Sequence, residues 1–374
     1  MSNPILFSFF SGSGFLDLGF ETSGFNVAFV NEYHTPFLEA YKYSRAHMGI
    51  PAPQFGYSNS SIEEFLSGTQ GGEFSKMVET AKQSGSLVGF IGGPPCPDFS
   101  VGGKNKGKDG ENGKLTKTYI DLILKDQPDY FIFENVKGLW RTKRHREFYE
   151  EMKERLTADG YVITDRLTNA IEYGAPQDRD RILMFGIKVN KVASKLNGNS
   201  LTECFDWDSN ISVDRNDVLK KELWPREEPF EEGSVTDFSA YISKDLKPFT
   251  VQHWFEKNNV DSHPNADKFF QPKSDKFGVI KEGDDSKKSF KRLHRWRYSP
   301  TAAYGNNEVH LHPYKARRLN AAEALAIQSL PAEFHFPATM TLSDMFKTIG
   351  NGVPFLVSSG LAKTVAKFLK LYAG

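Results

Sequence analysis

Apolar runs and amphipathic stretches alternate along the first 190 residues of the chain. The spacing of amphipathic stretches predicts helices at Leu16–Thr22, Thr35–Tyr43, Ile62–Leu66, Lys117–Lys125 and Arg146–Asp159. Short apolar runs between turn-forming residues predict strands at Ile5–Phe10, Asn26–Asn31, Leu87–Gly92, Tyr130–Glu134, Val162–Asn169 and Arg181–Ile187. Strands that alternate with helices predict a parallel sheet covered by helices, which is a Rossmann-like α/β fold.

The pattern changes after residue 190. Charged residues, Asn, Ser and Pro dominate residues 190–315 without a sustained period, which predicts a smaller, irregular module. Periodicity returns in a predicted helix at Ala316–Leu330 and a final one at Val353–Leu371. We therefore expect a catalytic and ligand-binding domain over residues 1–190, completed by residues 335–374, and a second domain over residues 191–334.

Composition narrows the class of protein. The chain of 374 residues is 39% hydrophobic and 25% charged, as in ordinary globular proteins. Its two cysteines do not form a disulfide framework, and no segment approaches the roughly 20 apolar residues of a membrane span. We expect a cytoplasmic protein with no membrane partner.

Charge is balanced overall but uneven along the chain. The 47 basic and 47 acidic residues cancel, yet Lys137–Arg146 carries five Lys or Arg in ten residues. A second run, Lys287–Arg297, carries six in eleven, with Phe290, His294 and Trp296 among them. A basic run is often only a solvated face, but two such runs in a neutral chain favour a polyanionic partner.

One cysteine lies in an unusual place. Cys96 follows Pro94-Pro95 directly after an apolar strand, so a rigid turn would hold its thiol at the edge of the sheet. These residues alone leave open whether Cys96 is a nucleophile or a plain buried thiol. The Gly- and Lys-rich segment over residues 100–115 predicts a long mobile loop, where an active-site lid would be expected.

The turn after the first strand is a candidate ligand site. Its glycines would let a ligand approach the backbone at the carboxyl edge of the sheet. Asp17 occupies the third glycine position of the dinucleotide fingerprint, which disfavours a nicotinamide cofactor. Glu32 ends the second strand where an acid meets ribose hydroxyls, with Tyr33 beside it to pack on an adenine. The pattern fits S-adenosylmethionine, although a purely structural turn would also explain the glycines.

Taken in order, several blocks resemble the cytosine-5 DNA methyltransferase family, in its bacterial restriction–modification form. These blocks are Phe10–Gly14, Glu32, Pro95-Cys96, Glu134-Asn135-Val136, Gln177 with Arg179 and Arg181, Arg318–Pro331 and Gly350–Pro354. The chain departs from the family pattern at four positions: Ser8, Phe15, Ser61 and Pro97. The first three put details of cofactor contact in doubt, and none of the four affects the expected chemistry.

The resemblance implies roles for residues of this chain. It implies catalytic roles for Cys96, Glu134, Arg179 and Arg181. For the cofactor S-adenosylmethionine, whose product is S-adenosylhomocysteine, it implies contacts from Phe10, Gly12, Ser13, Gly14, Glu32, Tyr33, Ile62, Pro94, Asn351 and Val353. For DNA, we expect contacts from Ser100, Lys104, Gln177, Arg292, Arg295 and Arg297. No metal is expected.

The implied reaction is methylation of C5 of a flipped-out cytosine in double-stranded DNA through a covalent Cys96 adduct. We expect a monomer, with a restriction endonuclease acting separately as a possible companion. Two alternatives stay open: a transfer-RNA cytosine-5 methyltransferase of the same fold, and a catalytically inactive DNA-binding homologue. The recognised DNA sequence does not follow from these residues.

Overall fold

The computed structural model describes residues 3–95, 111–287, 289–304 and 308–373 of the chain. Three residues with predicted roles, Cys96, Ser100 and Lys104, lie outside the described residues. Most of the loop predicted over residues 100–115 lies outside them as well. Residues 111–115 belong to a helix, so the prediction of a loop is wrong there.

One sheet of seven strands organises the fold, in the order β3-β2-β1-β4-β5-β7-β6. Six strands lie where the apolar runs predicted them. The two-residue edge strand β3 escaped prediction because it is too short to show a pattern. The bounds are β1 Ile5–Phe9, β2 Asn26–Asn31, β3 Tyr57–Ser58, β4 Val88–Gly92, β5 Tyr130–Val136, β6 Tyr161–Asn169 and β7 Asp180–Lys188.

Strand β7 runs antiparallel to both of its neighbours, whereas the other described pairs are parallel. The amino end of β7 therefore lies beside the carboxyl end of β5, where Val136 pairs with Arg181. In α/β sheets, ligands bind at the carboxyl ends of the strands. This reversal brings the arginines at the start of β7 to that edge.

Helices cover both faces of the sheet. The bounds of those in the first half are α1 Phe15–Glu21, α2 Thr35–His47, α3 Gly68–Gln83, α4 Glu111–Asp126, α5 Lys137–Arg141 and α6 Lys143–Ala158. The later ones are α7 Val189–Leu196, α8 Leu201–Cys204, α9 Arg215–Val218, α10 Val251–Lys257, α11 Ala321–Ile327, α12 Leu342–Asn351 and α13 Phe355–Tyr372.

Each face of the sheet has its own apolar core. Helices α3, α4 and α6 pack on one face, and α13 packs on the other with α2 and α7. Helices α1 and α13 approach so closely that a Cβ on Gly19 would lie 2.2 Å from Ser358 Oγ. The C-terminal helix thus packs against the N-terminal part of the fold.

The packing does not follow the domain boundary predicted at residue 190. Val192, Leu196, Leu201 and Phe205 belong to the same core as Phe185 of β7. These residues therefore pack with the sheet, and not with the irregular module that follows. A charged, aperiodic stretch can thus still supply single apolar side chains to a neighbouring core.

Between residues 214 and 320 the described chain is irregular, with short helices, single 3-10 turns and isolated bridges. Helix α11 is shorter than the helix predicted over 316–330, because the capping box formed by Asn320 and Glu323 starts the helix there. No helix of the described residues is long and apolar enough to cross a membrane. A search of the same residues finds no group of side chains suited to hold a metal ion.

Candidate active site

Glu134 and Arg181 form a buried ion pair at the carboxyl end of β5. Arg181 Nε lies 2.7 Å from Glu134 Oε1, and each side chain is about 10% exposed. Neither atom has a hydrogen bond within the described chain, because the N–H of Arg181 does not point at the oxygen. The carboxyl group is held by charge more than by a well-aligned hydrogen bond.

Burial dominates the proton affinity of this carboxyl group. It raises the pKa of Glu134 above its ordinary value, and the opposing pull of Arg181 and Arg179 does not cancel it. A carboxyl group with a raised pKa retains a proton more readily near neutral pH. Glu134 is therefore suited to donate a proton to an acceptor placed at the strand end.

Glu134 also faces the turn that leads to Cys96. A Cβ on Gly93 would lie 2.8 Å from Glu134 Oε2, so glycine leaves room for the carboxylate. Asn135 Nδ2 donates to the Pro94 carbonyl at 3.4 Å, and Pro94 is buried. These contacts connect the end of β5 to the proline turn immediately before Cys96.

Arg179 braces the backbone around this edge. Its buried guanidinium donates to the carbonyls of Gly350, Gly352 and Ala302, at 2.7, 3.0 and 3.1 Å. Burial, together with repulsion from Arg181, holds the pKa of Arg179 well below its usual range. Arg179 therefore links the irregular module and the C-terminal segment to the start of β7.

The glycine-rich turn and Glu32 form a second cluster at the same edge. Gly12 and Gly14 have φ of +56° and +82°, a left-handed conformation that favours glycine. The N–H groups of Gly12 and His34 each donate to a different oxygen of Glu32, both at 2.8 Å. The acid at the end of β2 thereby holds the turn after β1.

The remaining predicted cofactor residues lie around this cluster. Tyr33 is 73% exposed, so its ring is available to a ligand. Ile62 and Val353 are buried, and Asn351 is exposed. Ser13 Oγ lies 2.9 Å from Thr348 Oγ1 of α12, so the turn also contacts the C-terminal segment.

Two supports of the turn were missed by sequence reasoning. Arg45 of α2 is buried and donates to the Gly14 carbonyl at 2.6 Å and to Glu21 at 2.7 Å. Beneath the turn, Ser8 Oγ donates to Asp17 Oδ1 at 2.9 Å, and burial raises the pKa of Asp17 to about 7. In the sequence, Asp17 indicates only that the third glycine of the dinucleotide fingerprint is absent. No sequence feature identifies Arg45 as a support of the turn.

Comparison with known proteins now decides the family. The model of the C-5 cytosine-specific DNA methylase family matches residues 6–367. The chain belongs to this family.

Two relatives agree with that assignment, and one solved structure shares the fold. The methylase is 60% identical to the type II methyltransferase M.NmeDI of Neisseria meningitidis, over 98% of this chain and 84% of that protein. It is 27% identical to the type II methyltransferase M.FnuDI of Fusobacterium nucleatum, over 97% and 94%. Its fold resembles a candidate DNA modification methyltransferase from an E. coli prophage, with a TM-score of 0.59, 20% identity and coverage of 98% and 100%.

Three of the residues expected to contact DNA are buried in the methylase. The Arg292 guanidinium donates to the carbonyls of Ile280 and His312, at 2.7 and 2.5 Å. Arg295 donates through Nε and Nη2 to Glu282, at 2.9 and 2.7 Å. Gln177 bonds to Ala302 and Gln328. These partners already use the donors that base contacts would need, so the fold argues against the expected DNA contact for all three.

Arg297, the fourth described residue that was expected to contact DNA, is only partly buried. One of its nitrogens donates to Asp285 at 2.9 Å and to the Gly283 carbonyl at 3.1 Å. In the second basic run, Arg292 and Arg295 are therefore buried and Arg297 is partly buried. These three guanidinium groups donate to carbonyls and carboxylates of the module itself.

Proposed function

We propose that the methylase transfers a methyl group from S-adenosylmethionine to C5 of a flipped-out cytosine in duplex DNA. The observation that carries this proposal is the buried Glu134–Arg181 pair, which faces the Gly93–Pro95 turn leading to Cys96. Family membership and the two type II relatives support a place in a restriction–modification system.

The residues present at the carboxyl edge fit an adenosyl ligand. The Phe10–Gly14 turn exposes backbone without a pyrophosphate fingerprint, and Glu32 lies beside it with the exposed ring of Tyr33. We propose that these residues, with Ser13, Ile62, Pro94, Asn351 and Val353, hold the cofactor. When bound there, S-adenosylmethionine supplies an electrophilic methyl group.

The chain's own residues would activate the cytosine. The Cys96 thiolate adds to C6, forming a carbon–sulfur bond, while Glu134 gives its proton to N3 and electron density moves to C5. Once C5 carries the methyl group, its hydrogen leaves as a proton to water and the carbon–sulfur bond breaks to release the Cys96 thiolate. The N3 proton returns to Glu134, which restores the starting state of the site. The positive charges of Arg181 and Arg179 favour the thiolate near them.

This chemistry requires an unstacked base. A cytosine inside a duplex does not expose C6 to a thiol at the edge of the sheet, so the base must be flipped out, at a cost of a few kcal/mol. Contacts with Glu134 would offset part of that cost. We further propose that the enzyme acts in the cytoplasm as a monomer, separately from any endonuclease.

Trapping on a fluorinated substrate tests the proposal. Duplexes carrying 5-fluorocytosine, incubated with S-adenosylmethionine, should give a denaturation-resistant protein–DNA adduct, because fluorine does not leave as H5 does. Cys96→Ser should give no adduct while it still binds S-adenosylmethionine. An adduct formed only on fluorinated transfer RNA would show that the substrate is wrong, and cofactor binding without any adduct would favour an inactive homologue.

A further inference from the structure

The two basic runs of the sequence differ in how far the fold buries their side chains. Arg292 and Arg295 of the second run are buried, as described above. In the first run, Arg141, Lys143 and Arg144 are all exposed, where α5 meets α6. We call these three residues the α5–α6 patch. In a chain of zero net charge, this exposed group of cations calls for a functional explanation.

The patch lies next to the candidate active site. Helix α5 begins at Lys137, directly after the end of β5 that carries Glu134. Arg141 follows Glu134 by seven positions, two steps in extended backbone and five in helix. The path along the chain is therefore at most about 14 Å, at roughly 3.3 Å per extended residue and 1.5 Å per helical residue.

Two cations of the patch have no counter-charge in the part of the chain that the structure describes. Arg141 and Lys143 form no ion pair with any residue that the structure describes, whereas neighbours in the same run do. Lys137 pairs with Asp180, and Arg146 pairs with Glu150 at 2.7 Å. The Arg146 guanidinium also lies 3.4 Å from the centre of the Trp140 ring, which fixes the corner between the two helices.

The position of these charges is unfavourable for the protein alone. Lys143 and Arg144 occupy the first turn of α6, which holds no acidic residue, and Thr142 does not cap the helix with its side chain. A cation there meets the positive end of the helix dipole, at a cost of about 0.3–1 kcal/mol at low salt. For Lys143, which forms no ion pair with a described residue, a negatively charged partner would offset the cost.

We propose that the α5–α6 patch contacts phosphates of the DNA backbone beside the target cytosine. The inference rests on the proposed function, which makes duplex DNA the substrate. Phosphates of one strand recur about every 3.4 Å along the helix axis, so a patch no more than about 14 Å from Glu134 lies within about four nucleotides of the target base. Such contacts position the duplex and add affinity without reading sequence.

Salt dependence of DNA binding measures these contacts directly. For duplex DNA, the slope of log K against log salt falls by about 0.9 for each phosphate contact that is lost. R141Q/K143Q should therefore reduce the slope by about 1.8 and weaken binding about 30-fold at 0.15 M salt, or about 5-fold for each charge. The loss should be equal on specific and non-specific duplexes. Each single variant should show half of the change in slope.

A matched control distinguishes an effect of the α5–α6 patch from a general effect of losing two positive charges. Lys363→Gln with Lys370→Gln removes the same charge from exposed positions of α13, and its slope should equal that of the wild type. The proposal would be overturned if R141Q/K143Q had the same slope as the wild type, or if the α13 control lost as much slope as R141Q/K143Q. A slope that changed for transfer RNA but not for duplex DNA would also overturn it.

Failure of the patch is distinguishable from failure of the proposed function. If the wild type forms the 5-fluorocytosine adduct on duplex DNA but the R141Q/K143Q slope is unchanged, only the patch is wrong. If the wild type forms no adduct on duplex DNA, the proposed function is wrong, whatever the slope. Thermal unfolding of each variant should match the wild type, since the exchanged side chains are exposed.

Discussion

Arg181 Nε lies 2.7 Å from Glu134 Oε1, across the antiparallel pair that β5 forms with β7. Burial raises the pKa of Glu134, while the arginine limits that rise. The pair thus combines a carboxyl group of increased proton affinity with a close contact to a buried cation. Both properties suit a group that must protonate a base as a nucleophile adds to it.

Replacing Glu134 by Gln should slow the chemistry far more than it weakens DNA binding. The amide keeps the shape of the side chain but has no acidic proton to give, and proton transfer by a positioned group is worth about 10²–10⁴ in rate. Single-turnover methyl transfer and adduct formation on 5-fluorocytosine would measure the rate, beside a binding titration. Losses of equal size in rate and in affinity would indicate a structural role instead.

Replacing Arg181 by Gln should shift the pH profile. Without this positive charge the pKa of Glu134 rises further, because burial then acts with less opposition. The rate falls with rising pH as Glu134 loses its proton, so this alkaline limb should move to higher pH in the variant. Arg155→Gln, which breaks a partly exposed pair with Asp121, is the control. An unmoved limb would mean that Glu134 does not set it.

Replacing Glu32 by Gln should weaken binding of S-adenosylmethionine. The carboxylate accepts from Gly12 and His34 through separate oxygens, and an amide offers only one acceptor. A hydrogen bond to a charged group is worth about 1.5–3 kcal/mol, so the dissociation constant should rise about 10- to 100-fold. Calorimetric titration would show this, with Glu39→Gln on the exposed face of α2 as control. Unchanged affinity would exclude Glu32 from the cofactor site.

Replacing Arg295 by Met should destabilise the protein without primarily changing specificity. Its guanidinium pairs with the buried carboxylate of Glu282, and removal of one partner of such a pair costs about 3–5 kcal/mol. Urea denaturation would measure the loss, and Arg297→Met, at a partly exposed pair, should cost about 1 kcal/mol or less. A stable Arg295→Met protein with relaxed sequence preference would restore the original assignment to DNA recognition.

The sequence by itself determined the elements of the sheet and the order of the family blocks. Apolar runs such as Tyr130–Glu134 mark buried strands, since both faces of a covered sheet exclude polar side chains. The blocks at Phe10–Gly14 and Glu134–Val136 are local in sequence, so their residue types and spacing are visible without a structure. The family assignment followed from them and is confirmed.

Tertiary structure alone decided what those residues meet. The reversed direction of β7 brings Arg181 to Glu134, and no local period reports strand direction. The two basic runs differ in burial: Arg295 of the second run is buried and donates to Glu282, whereas Arg141 of the first run is exposed to solvent. A Lys- or Arg-rich segment looks alike in sequence whether its partners are carboxylates of the same chain or lie outside the protein. Only the fold places the counter-charges, which is why it changed the assignment of the DNA-contacting residues.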